Sequence, residues 1–122
     1  MTKEELENRL IDYSVIIIDI SENLKDSRAG NYFAGQIVRS GSSPALNYGE
    51  AQSAESKNDF IHKLQIVLKE LRETVVNLKI IDKALLLEQE GDIEKLNYGI
   101  KESNELISIF VKSVETSKKS AR

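Results

Sequence analysis

Apolar residues near the start of the chain return at intervals of four and three: Leu6, Leu10, Tyr13, Ile17, Ile20 and Leu24. At about 100° per residue this spacing lines one stripe of an α-helix, and Thr2 with Glu5 three residues on is a capping signal. The pattern predicts a first helix from Thr2 to about Lys25. Ile11, Val15 and Ile18 fall on nearly the opposite side. A helix that is apolar on two faces is either placed deep within the monomer or, the reading favoured here, turns its second face to a subunit contact.

A break at Asp26-Ser27-Arg28 leads into a second helix, about Ala29 to Gln52, which is poor in charge and rich in small residues. Each interior glycine costs about 1 kcal/mol against alanine, and Pro44 removes a backbone donor, so propensity alone would break the segment near Gly41-Ser-Ser-Pro44. Because small residues let neighbouring backbones approach closely and nearby serines can satisfy freed backbone groups, the expectation is one helix kinked near Pro44. The third helix opens at Ser56 or Asn58 and runs to about Leu87 with Phe60, Leu64, Val67, Leu71, Leu78, Ile81 and Leu85 as its stripe. Ile66, Val76, Ile80 and Leu87 lie off that stripe, a second sign of apolar surface beyond the core. After Gly91, a fourth helix from Asp92 to about Lys118 turns Ile93, Leu96, Ile100, Ile107, Phe110, Val111 and Val114 inward. Four helices with short links give a single all-α domain, an up-down-up-down antiparallel four-helix bundle.

Composition narrows the function more by exclusion than by indication. Without cysteine the chain has no disulfide, thiolate nucleophile or Cys-ligated zinc, and a reducing cytoplasm fits it best. The acidic opening residues lack the features of a signal peptide, and no apolar run approaches a membrane span. With one histidine, His62, the paired Glu-x-x-His ligands of di-iron bundles are absent; Asp59 and His62 are three apart, but His62 reads as a surface residue. No phosphate loop, dinucleotide fingerprint or nucleophile elbow occurs, so no cofactor and no enzyme is expected. The net charge is −3, and residues 1–27 alone carry −4. That acidity argues against a role on nucleic acid, whose phosphates select basic faces. The tail Lys118-Lys119-Ser-Ala-Arg122 suits a helix C-terminus.

One polar constellation stands out. Arg39, Ser43, Asn47 and Glu50 form a row along helix two, and Lys63, Glu70 and Asn77 form a parallel row on helix three. Ionisable groups in so uncharged a segment are expected to be paired. The rows are read first as a network fixing the register of helices or subunits, and second as a groove holding a ligand or nucleic-acid backbone through Arg39 and Lys63.

These same residues carry a resemblance that covers nearly the whole chain. Arg39-Ser40, Ser43-Pro44, Asn47-Tyr48-Gly49-Glu50-Ala51, the run Ser53 to Leu64 and Glu70-Leu71-Arg72-Glu73-Thr74 resemble the bacterial four helix bundle family, also called the 23S rRNA intervening-sequence or S23-like family. Many members place Glu-Gly after the asparagine, whereas Glu50 is followed here by Ala51. The resemblance implies a four-helix bundle that assembles as a ring, most often a homopentamer, with relatives that point to RNA or DNA as a partner. The reading that follows is a non-enzymatic oligomeric scaffold whose contacts come from Ile11, Val15, Ile18, Ile66 and Ile80. The alternative is a nucleic-acid-binding accessory protein that uses Arg28, Arg39, Lys63 and the basic tail.

Overall fold

The structure, a computed structural model, describes residues 1–120; Ala121 and Arg122 of the basic tail lie outside the described residues. Four helices follow one another: α1 (Lys3–Glu22), α2 (Arg28–Ala51), α3 (Lys57–Lys83) and α4 (Glu90–Ser120). Each packs against its neighbours in sequence, and α4 closes against α1, which leaves α1 and α3 at diagonal corners.

Side-chain caps set where three of the helices begin. At α1 the Thr2 hydroxyl accepts from the Glu5 N–H at 3.1 Å while the Glu5 carboxylate accepts from the Thr2 N–H at 3.2 Å. Ser27 and Ser56 cap α2 and α3 in the same way, each accepting from the N–H three residues on at 3.0 Å.

Two helices end earlier than their periodicity suggests, because the tertiary structure claims the residues beyond. α1 stops at Glu22 instead of Lys25, since the Lys25 N–H donates to the Leu86 carbonyl at 2.9 Å and ties the α1–α2 turn to the α3–α4 turn. α3 stops at Lys83 instead of Leu87, because Leu85 takes a left-handed conformation with φ 57°. The Leu86 N–H then reaches back to the Ile81 carbonyl at 3.2 Å. This turn folds Leu86 and Leu87 into the core and leaves Leu85 72 % exposed. Leu85 therefore leaves the α3 stripe, and Leu87, assigned to an outer face, is buried.

Pro44 does not split α2, which is continuous from Arg28 to Ala51. The close approach of α1 holds this region: a side chain at Gly41 would stand 2.5 Å from Ile17 Cγ2. The Ser14 hydroxyl, 3.1 Å from the Gly41 carbonyl, bridges the same two helices. The serines of α2 itself act elsewhere, Ser42 donating to the Val38 carbonyl at 2.7 Å and Ser40 accepting from Thr74 at 2.8 Å.

Leu10, Ile17, Ile20, Ile37, Leu64, Leu71, Leu78, Ile81, Leu96, Leu106 and Phe110 fill the interior. Leu106 and Ile61 are buried although the expected stripes omitted them, while Phe60, Ile93, Ile100, Ile107 and Val111 are only half-buried. A polar layer crosses this core with one residue from each helix: Tyr13, Ser40, Thr74 and Ser103, none more than 1 % exposed. Tyr13 Oη lies 2.6 Å from Ser103 Oγ, Ser103 donates to the Gly99 carbonyl, and no buried side-chain donor or acceptor among the described residues lacks a partner. A fully satisfied layer of this kind favours one register of the four helices over slipped ones.

Candidate interaction surface

The polar rows of α2 and α3 face each other across the α2–α3 seam. Arg39 binds Glu73 at 2.7 Å and Glu70 at 3.3 Å, and Lys63 binds Glu50 at 3.3 Å. Asn47 turns back within α2, donating to Ser43 Oγ at 2.9 Å and the Ser43 carbonyl at 3.0 Å. Six of the seven residues in the two rows thus sit in two ion-pair clusters and one intrahelical pair, and the seventh, Asn77, is half-buried. The hydrogen bond from Arg39 holds the Glu73 carboxyl below the usual range, while burial and then the hydrogen bond with Glu73 raise that of Glu70. Arg39 and Glu73 are open to water, so the cluster adds little stability. Arg39 and Lys63 therefore each have a carboxylate partner within the protomer.

Further ion pairs, outside the rows marked by the sequence, lie across the α1–α4 seam. Arg9 of α1 grips Glu102 of α4 through two bonds of 2.7 Å, with Glu102 only 6 % exposed. This forked pairing holds the α1–α4 seam together with Tyr13–Ser103 and Lys95–Asp19. Glu102 lies four residues before Leu106, which the expected α4 stripe omits, so the spacing does not turn Glu102 inward until the bundle is assembled.

The outer surface of the bundle is apolar in the places the second stripes foretold. Ile11, Val15 and Ile18 are 44 %, 59 % and 41 % exposed on α1, and Val76 and Ile80 are 54 % and 41 % exposed on α3. Ile66 is half-buried. Tyr98 of α4, which the sequence reading passed over, is half-exposed and joins Val15, Ile16, Asp19, Glu94 and Lys95 around a groove of about 640 Å³ between α1 and α4. Among the described residues no three or more His, Cys, Asp or Glu converge to hold a metal, and no helix is long and apolar enough to cross a membrane. His62 is exposed.

Residues 4–113, nearly the whole bundle, match the family of 23S rRNA-intervening sequence proteins. The chain belongs to that family. A solved structure from Bacteroides thetaiotaomicron VPI-5482, described as a protein of unknown function from the S23 ribosomal protein family, is 26 % identical and superposes with a TM-score of 0.81. The similarity covers 94 % of this chain and 99 % of that one. No curated protein matches. Family membership therefore agrees with the four-helix bundle and brings no assigned activity with it.

Proposed function

We propose that this member of the 23S rRNA-intervening sequence protein family is a non-enzymatic cytoplasmic scaffold that works by assembling with copies of itself. The observation carrying this reading is the exposed row Ile11, Val15 and Ile18 on a helix whose other face already fills the core. Soluble monomers rarely leave a contiguous row of large aliphatic side chains in water, and burial by a second chain removes that cost. The closed ring of five implied by the family resemblance is one form such assembly takes. Light scattering on a sizing column tests the reading: the wild-type chain should elute as a multimer of the 13.7 kDa protomer. Ile18→Asp, at an exposed position, should keep its helical signal and give smaller particles. A wild-type monomer at all concentrations would reject the proposal.

A second reading, an accessory protein on nucleic acid, draws support from the family name and from one feature of α3. Lys69, Arg72, Lys79 and Lys83 are exposed, and none of them forms an ion pair among the described residues. It predicts co-purifying nucleic acid that high salt strips away, since each neutralised phosphate steepens the salt dependence.

A further inference from the structure

Two outward rows of this bundle share one spacing and differ in charge. On α1 the exposed residues Glu4, Asn8, Ile11, Val15, Ile18 and Glu22 follow one another at four, three, four, three and four. On α3 the exposed residues His62, Gln65, Lys69, Arg72, Val76, Lys79 and Lys83 follow at three, four, three, four, three and four. Alternation of three and four is the seam along which one helix supercoils on another, and each seam runs about 27–32 Å at about 1.5 Å per residue. Neither seam has a partner within the bundle, because every residue in both rows is exposed.

The α1 seam is aliphatic at its centre and carries carboxylates at both ends, with no cation in the row. The α3 seam has Arg72 in its middle, Val76 one step further on with Ile80 alongside, and Lys69, Lys79 and Lys83 around them, with no carboxylate in the row. We infer that the α1 seam of one protomer docks against the α3 seam of a second copy, head to tail, in the assembly proposed above, on which this inference rests. Self-pairing of either seam is disfavoured by charge. Two α1 seams in antiparallel contact would set Glu4 opposite Glu22, and two α3 seams would set lysines and arginines against each other. Seams at diagonal corners leave each protomer with one donor face and one acceptor face, so association propagates into a ring or a filament instead of stopping at a two-fold dimer.

A glycine at the α1–α2 edge, Gly35, supports the same contact. Added side chains at Gly41 and Gly99 would meet neighbouring helices, but at Gly35 and Gly49 nothing lies within 4 Å. Gly35, Ser42 and Gly49 are seven residues apart on α2, and Gly35 shares a shallow trough with Glu22, Leu24, Ala34 and Val38 at the α1–α2 edge. A mid-helix glycine is unfavourable where the monomer gives it no neighbour, and close approach of another chain supplies the missing reason.

Two blocked variants test the polarity. In Ile11→Asp/Ile18→Asp only the α3 seam remains intact; in Lys69→Glu/Arg72→Glu/Lys79→Glu only the α1 seam does. Each alone should be monomeric with an unchanged helical signal. Mixed, they should form a one-to-one heterodimer of twice 13.7 kDa that grows no further. If the wild type is multimeric and the α3-blocked variant stays equally multimeric, or if two monomeric variants fail to combine, the head-to-tail contact is wrong while the scaffold reading stands. A wild-type monomer, with or without nucleic acid that salt removes, overturns both. As a check on folding, Glu4→Lys/Glu22→Lys/Arg72→Glu/Lys79→Glu in one chain should restore the multimer that Arg72→Glu/Lys79→Glu loses.

Discussion

Replacing glycine by alanine in the middle of a helix ordinarily stabilises it, yet two glycines of α2 should respond in opposite directions. At Gly35 a methyl group meets nothing within 4 Å, so Gly35→Ala should gain the propensity difference of about 1 kcal/mol. At Gly41 the methyl would sit 2.5 Å from Cγ2 and 2.9 Å from Cβ of Ile17. Those atoms lie at the base of a branched, fully buried side chain, so relief requires α1 itself to move. Overpacking of that kind costs about 1–3 kcal/mol, which outweighs the propensity gain and leaves Gly41→Ala about 1 kcal/mol less stable than wild type. The two variants should then differ by about 2 kcal/mol, on the order of 8 °C in Tm for a chain of this size. Urea and thermal unfolding, followed by helical circular dichroism, would measure this in the Ile11→Asp/Ile18→Asp background, because assembly adds to apparent stability and the proposed contact places a second chain beside Gly35. Equal stabilisation by both substitutions would show that α1 and α2 are not in close contact at Gly41, and the account of how α2 survives Pro44 would fall with it.

Two further outcomes follow from single residues. Burial raises the Tyr13 phenol to about 12 from 10.0, against a smaller opposing effect of its bond to Ser103. Between these pH values the unfolded chain releases the proton first, so stability is complete below pH 10 and falls by about 1.4 kcal/mol per unit above it. Tyr13→Phe should remove that share of the alkaline loss and cost about 1 kcal/mol at neutral pH; denaturation midpoints that fall identically with pH in both proteins would contradict the assignment. Leu85 pays the strain of a left-handed backbone, about 1–2 kcal/mol, with its side chain largely in water. Leu85→Gly should raise stability by about 0.5–1 kcal/mol after the greater freedom of glycine in the unfolded chain is subtracted, and a lowered Tm would show that the leucine makes a contact the monomer lacks.

Periodicity along the chain was sufficient for the bundle itself. Helix count, order and the inward rows around Leu10, Ile17, Leu71 and Leu78 follow from the spacing of apolar residues, because a 3.6-residue repeat leaves one face per helix to bury. Capping was equally local: Thr2 with Glu5, Ser27 and Ser56 each act within three residues, so sequence alone marks where α1, α2 and α3 begin. The exposed stripe of Ile11, Val15 and Ile18 was legible for the same reason. Helix ends were not: α1 ends where the Lys25 N–H turns to the carbonyl of Leu86, a residue distant in sequence, and α3 ends at Leu85, a left-handed position that no glycine or asparagine marks. Nor did the spacing reveal which hydroxyls would meet. Tyr13, Ser40, Thr74 and Ser103 are unremarkable in their own helices and become a layer only when four helices bring them to one level. The polar rows show the same division: spacing placed Arg39 and Glu50 on one face of α2 and Lys63 and Glu70 on a parallel row of α3, while tertiary structure decided that Arg39 meets Glu70 and Glu73 and that Lys63 meets Glu50. Local spacing determines which face a side chain takes; only packing between helices decides what that face meets.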